Sequence, residues 1–313
     1  MAHSESSKVS IYAAMAANVA IGIAKFIGAG ISGSSAMLSE GIHSVVDSVN
    51  EVLLLYGLKQ SEVPPDEEYP LGRGQELYFW SLMVAVLIFA LGGGISVYEG
   101  LESLRHPEPA SDPLVSYIVL GAAAAFEGAA LFVSIREFNK SRDEAQSLWK
   151  AIRLSKDPSS FIVIVEDTAA LIGLAIAFGG VWLSETLQDP TYDAIASITI
   201  GGLLTVVATA LVAKTKGLLM GQSASESTRE SIKAIVRSDQ AVVEIGAPIT
   251  IHMGPQDVML AMNIEFKDNL SADDIEIAVR RIETGIRRTH SEIKRIFIEA
   301  QAATGDDFGE IAQ

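Results

Sequence analysis

The chain has 313 residues, 49% of them hydrophobic and 20% charged, with a mean hydropathy of +0.32. That is too apolar for a soluble domain of this length, and a formal net charge of −16 argues against a nucleic-acid partner. Cysteine is absent, which excludes disulfides and thiolate metal sites.

Apolar stretches fall at about 9–31, 36–58, 77–100, 113–135, 159–184 and 192–214, each near or above the ~20 residues that a bilayer-spanning helix needs. Six spans is the simplest count. The first reads as a retained helix rather than a signal peptide, because its leading region is barely basic and the run exceeds a usual h-region. Lys59 and Arg73 lie between spans two and three, and Arg136, Lys140, Arg142, Lys150, Arg153 and Lys156 between spans four and five. Lys214 and Lys216 follow span six, whereas the opposite loops hold only Arg105. The positive-inside rule then puts the N-terminus, two loops and the tail in the cytoplasm, with the protein in an inner or plasma membrane.

From about residue 217 charges become frequent. Ser225–Arg237 is amphipathic and predicts a helix; Pro248–His252 and Val258–Phe266 alternate and predict strands joined by the turn Met253-Gly254-Pro255. Ser271–Arg288 predicts a helix with Ser271 as N-cap and Asp274 at the third helical position, and Lys294–Glu299 predicts a last strand. The expected architecture is an α-helical membrane domain over 1–216 and a small cytoplasmic α+β ferredoxin-like (αββαβ) domain over 217–303. A disordered tail is expected over 304–313.

Several ionisable residues fall inside the apolar spans. Span two carries Glu40, His43, Asp47 and Asn50 at steps of 3, 4 and 3, a polar stripe down one helix face. His43 and Asp47, four apart, stack one turn from each other and form half of a tetrahedral site for a borderline metal such as Zn²⁺. Span five carries Glu166 and Asp167, span four Glu127, and span one Asn18 and Lys25. Asn18 reads as interhelical glue, and Lys25 as a residue that snorkels or pairs with an acid. Glu40 reads as close to the outer interface. At ~1.5 Å rise per residue, Asp47, Glu127 and Asp167 reach nearly the same depth, about 18–21 Å from the outer side. Several unpaired carboxylates in one apolar layer are intolerable as anions, so a divalent cation or protons must neutralise them. No HExxH motif, serine–histidine pairing or phosphate loop suggests an enzyme.

At these residues the chain resembles the cation diffusion facilitator family of divalent-metal transporters. The resemblance rests on Gly33-Ser34-Ser35-Ala36-Met37-Leu38-Ser39-Glu40-Gly41-Ile42-His43-Ser44-Val45-Val46-Asp47 and Tyr69-Pro70-Leu71-Gly72-Arg73-Gly74. It also rests on His252-Met253-Gly254-Pro255 and Ile296-Phe297-Ile298-Glu299. Glu166-Asp167-Thr168-Ala169-Ala170-Leu171-Ile172-Gly173, with Phe126-Glu127-Gly128, is similar to the zinc-transporter-nine-like branch. The resemblance implies a homodimer that exports a divalent metal from the cytoplasm by proton antiport and alternating access. His43, Asp47 and Asp167 match three of the family's four ligands. The fourth position is Val163, which cannot coordinate, so Glu166 or Glu127 is expected to substitute, with Glu166 slightly favoured.

The resemblance also implies missing sites. Gly246, Met262, Glu299 and Gln301 stand where zinc-sensing relatives carry tail ligands, so the tail is expected to dimerise without a zinc cluster; His252 and His290 read as surface or hydrogen-bonded residues. No prosthetic group is expected. The bound species is the transported metal, with Zn²⁺ favoured and Mn²⁺, Fe²⁺ or Co²⁺ compatible with oxygen ligands. The expected partners are a second copy, the bilayer, metal ions and protons. The alternative, kept open by Val163, is a transport-dead membrane scaffold or sensor whose cytoplasmic domain binds a protein partner.

Overall fold

A computed structural model describes residues 18–107, 113–141 and 146–301. The start of the first span, Arg142 and the expected disordered tail lie outside the described residues. The chain forms two units: residues 1–59 with 77–216, and residues 60–76 with 217–313.

The first unit is helical. Helix α1 is described over Asn18–Ser32, followed by α2 (Ser35–Ser61), α3 (Glu76–Leu87), a π-helical segment (Ile88–Gly93) and α4 (Gly94–Arg105). Next come α5 (Pro113–Ser141), a short α6 (Leu148–Leu154), α7 (Pro158–Leu187) and α8 (Thr191–Leu219). Among the described residues, four continuous helical stretches are long and apolar enough to cross a membrane: Glu76–Arg105, Pro113–Lys140, Pro158–Leu187 and Thr191–Leu219. Helix α2 has the length, but its polar stripe dilutes its apolar character. Helix α6 was not expected from sequence. Lys214 holds it in place, donating to the Ile152 carbonyl at 2.5 Å with its ammonium 3.5 Å from the Phe161 ring centre.

Small residues set the helix spacing. On α1, Gly22, Gly28, Ala29 and Ser32 are buried, while Val19, Ile23, Ile27 and Ile31 point outward as a lipid-compatible face. Helices α4 and α8 meet backbone to backbone. A Cβ on Gly201 would sit 2.8 Å from the Gly93 carbonyl oxygen, and one on Gly100 would sit 2.9 Å from that of Ala194.

The start of α2 is capped from a distance. Gly33 ends α1 with φ +69°, and its amide returns to the Ala29 carbonyl at 2.8 Å. The Ser34 hydroxyl accepts from the Met37 amide at 3.1 Å and donates to Asp193 Oδ1 at 2.7 Å. Asp193 Oδ2 accepts from the amides of Ser35 (2.6 Å) and Ala36 (3.3 Å). A buried carboxylate from α8 thus serves the orphan donors and positive end of α2.

The second unit has helix α9 (Glu226–Arg237), strands β1 (Val242–Ile245), β2 (Ile249–Gly254) and β3 (Asp257–Phe266), helix α10 (Ala272–Thr289) and strand β4 (Ile293–Ala300). The expected αββαβ order is corrected to αβββαβ. Strands β1 and β2 both pair antiparallel with β3, and β4 pairs with it in parallel. The Gly246 amide donates to the Asn263 carbonyl and the Gln301 amide to that of Ile264. Adjacent residues of a strand point their backbone groups to opposite edges, so β1 and β2 lie end to end along one edge of β3. The sequence hid β1 because Gly246-Ala247-Pro248 interrupts that edge, and Val242–Ile245 is too short to show a period. Val258, Leu260, Met262 and Ile264 alternate onto the face covered by Ile232 and Val236 of α9 and Ala278, Ile282 and Ile286 of α10. The other face leaves Val243, Ile249 and Phe297 exposed.

Residues 60–76 belong to this unit. Arg295 grips both oxygens of Asp257 at 2.7 and 2.8 Å and donates to the Leu71 carbonyl at 2.8 Å. A Cβ on Gly74 would lie 2.3 Å from the Met253 carbonyl oxygen, so only glycine fits there. Asp66 accepts from the Tyr69 amide and from Arg73, and these contacts hold its carboxyl below the usual range.

Two outcomes follow for stability. Asp193→Ala strips four donors at the start of α2, the Ser34 and Ser35 hydroxyls and the Ser35 and Ala36 amides, of their acceptor and is expected to cost about 1–2 kcal/mol, read as a lower thermal midpoint in detergent; an unchanged midpoint would show that the cap contributes nothing to stability. In the second unit Arg281 donates to both oxygens of Asp239 at 2.6 Å, and this holds the Asp239 carboxyl low. A depressed folded pKa stabilises above the unfolded value of about 3.9 and is lost as pH falls through the lower folded value. Arg281→Met should therefore melt earlier than wild type at pH 7, with the gap closing below about pH 4. A gap independent of pH would contradict the pairing.

Candidate metal centre

The polar stripe on α2 lands inside the helical unit. Glu40, His43 and Asn50 are buried, and the Asp47 side chain is 21% exposed. His43 Nδ1 approaches Asp47 Oδ1 to 3.4 Å without forming a hydrogen bond, and among the described residues both ring nitrogens of His43 and that carboxylate oxygen have no hydrogen-bond partner. Buried polar atoms are normally satisfied, so an imidazole and a carboxylate left open side by side are set up for a ligand.

Helices α5 and α7 bring the other acids. Glu166 is buried, and its Oε1 accepts from Asn50 Nδ2 of α2 at 2.8 Å. Asp167, one residue on and so about 100° around the helix, turns to α5, where Ser134 Oγ donates to its Oδ2 at 3.2 Å. Val163, one turn before Asp167, lines a cleft with Ser134 and Phe138 on the same side. Of the adjacent pair, Glu166 therefore faces α2. Glu127 reaches the cluster from α5, and the charges of Asp47, Glu127, Glu166 and Asp167 act on one another. Among the described residues, no three histidine or acidic side chains are close enough to hold a metal ion together. The geometry joins His43 with Asp47, and holds Glu166 and Asp167 on separate hydrogen bonds.

Of the two roles expected for Lys25, snorkelling or pairing with an acid, the structure has the second. The Lys25 side chain is completely buried, donating to Glu40 Oε2 at 3.1 Å and to Ser44 Oγ at 2.8 Å, with Glu127 Oε1 at 4.0 Å. Glu40 is likewise fully buried, and its other oxygen lies where a Cβ on Gly173 would be, 2.4 Å away. Asn50 belonged to the stripe, but its role as donor to Glu166 needed the structure. Ser134 was not expected at the site; its one sequence signal is that it sits seven residues after Glu127, on the same face of α5.

Comparisons with known proteins identify the family. The family model of the cation efflux transmembrane domain matches residues 11–220. A mitochondrial proton-coupled zinc antiporter of Xenopus laevis is 33% identical over 258 residues, covering 80% of this chain and 46% of the relative. Metal tolerance protein C4 of Arabidopsis thaliana is 31% identical over 278 residues, 88% of this chain and 58% of its own. The chain spans about half the length of these two relatives. A manganese efflux system protein of Bacillus subtilis is 26% identical, with 94% of this chain and 95% of the relative aligned. A helical membrane unit with a small sheet domain after it, and a match over most of the sequence, lead to one assignment: the chain belongs to the cation efflux family, the cation diffusion facilitators, on its zinc-transporter-nine-like branch.

Proposed function

We propose that the protein is a secondary transporter that exports a divalent cation, Zn²⁺ foremost, from the cytoplasm in exchange for protons. The observation that carries this reading is the open pair His43 and Asp47, whose buried ring nitrogens and Oδ1 have no hydrogen-bond partner among the described residues, beside acids from two further helices. Isolated ionised groups cost several kcal/mol or more in such surroundings, so a dication or protons must balance them. Because ligands must be deprotonated to bind metal, the two kinds of cation compete for the same atoms, which is the chemical basis of antiport. His43, Asp47 and Asp167 are the core ligands in this reading. Glu166, already turned toward α2, supplies what Val163 lacks. Closing the set requires Glu166 and Asp167 to leave Asn50 and Ser134, a helix rearrangement that fits alternating access.

Six membrane spans, a cytoplasmic sheet domain of ferredoxin-like type and a homodimer through its open sheet face complete the proposal. The names of the zinc antiporter and manganese efflux relatives support metal export over a transport-dead scaffold. They also leave Mn²⁺ as the second cargo to test, since oxygen-rich sites suit it.

In proteoliposomes, Asp47→Ala and Asp167→Ala are each expected to reduce Zn²⁺ flux by at least about tenfold while the protein still assembles. Wild-type flux should follow an imposed pH gradient and collapse with it when an ionophore is added. Near-normal flux in either variant would refute the ligand assignment, and wild-type flux indifferent to the gradient would refute proton exchange. Calorimetry should rank Glu166→Gln as more damaging to Zn²⁺ binding than Glu127→Gln; the opposite ranking would shift the site toward α5.

A further inference from the structure

Lys25 is a cation built into the acidic cluster. It sits on the small-residue face of α1, its ammonium within 3.1 Å of Glu40, 2.8 Å of Ser44 and 4.0 Å of Glu127. Charged groups face this ammonium from α2 (Glu40) and α5 (Glu127), and His43 and Asp47 lie on the same stripe of α2 as Glu40. Glu40 is committed to it, seated against Gly173 of α7, where a methyl group would not fit. Burying a lysine is costly unless it is paired, and one Glu40 carboxylate with a serine hydroxyl already satisfies two of its three donors. The third direction is open toward Glu127.

Building on the metal site proposed above, we infer that Lys25 is a positioning residue that withholds Glu127 from the transported cation. An ammonium beside Glu127 repels an approaching dication and screens that carboxylate from it. The metal is thereby directed to His43, Asp47 and the acids of α7, and Glu166 rather than Glu127 fills the place left by Val163. Lys25 thus selects between two ligand sets that the same sequence offers. A merely structural ion pair would tie α1 to α2 without altering which acids the metal uses.

The test is a double-mutant cycle on the full chain in detergent micelles, with Zn²⁺ alone as ligand and a fluorescent zinc chelator as competitor. Lys25→Gln alone would strand Glu40, so the background is Lys25→Gln with Glu40→Gln, which removes the pair without stranding Glu40; Lys25→Arg keeps the charge as a control. In wild type and in Lys25→Arg, Glu127→Gln is expected to change affinity less than about threefold. In the double-glutamine background the same replacement should weaken it roughly tenfold or more, because Glu127 has become a ligand. Equal factors in all backgrounds, or a tenfold loss already in wild type, would overturn the inference. His43→Ala separates the two levels of the argument: an unchanged affinity in that variant would remove the metal site itself, and this inference with it.

Discussion

A carboxylate cannot remain an unpaired anion among packed apolar helices, and the helical unit is arranged around that rule. Among the described residues, five acids and one imidazole from α2, α5 and α7 gather in it, with Glu127 at 4.0 Å from the Lys25 ammonium and the others answered in different ways. Glu40 has Lys25, Glu166 has Asn50 and Asp167 has Ser134, whereas the His43–Asp47 pair has nothing of comparable strength. The neutral donors are weak enough to be given up, and the ammonium is not. In the proposed site, that gradation separates the groups free to take a cation from those that are fixed.

The same rule governs the helix ends. The first turn of α2 exposes amides that lipid or packed protein would leave unsatisfied, and Asp193 answers them from another helix. Gly33-Ser34-Ser35 therefore has a mechanical meaning: a left-handed stop, a cap and a hydroxyl relay, placed so that the stripe of α2 starts in the correct rotation. A residue more or less in that turn would rotate His43 and Asp47 by about 100° away from their neighbours.

Much of this was legible in the sequence. Periodicity gave the polar stripe and the alternating core of β3, because those signals repeat over several turns or residues, and the N-cap at Ser271 showed through its pairing with Asp274 three residues on. What escaped were interactions between residues far apart in the chain. Nothing local says that Lys25 meets Glu40 rather than lipid headgroups, or that Glu166 and Asp167 part company toward different helices. Strand β1 escaped for a different reason, having four residues and no repeat to detect. The motif Tyr69–Gly74 was visible as a signature, but its cause, the approach of Gly74 to the Met253 carbonyl and the grip of Arg295, lies more than a hundred residues downstream.

The π-helical segment Ile88–Gly93 carries a consequence for how this protein can vary. Such a segment is an α-helix with one residue too many, and everything beyond it is phased by that surplus. Removing a single residue there would restore ordinary α-helical bonding and make the helix locally more regular. It would also turn α4 by about a quarter of a revolution, carrying Ser96 and Gly100 off α8 and bringing bulky side chains where two backbones now touch. The contact between these helices is thus encoded by a residue count as well as by the glycines that let the two backbones touch.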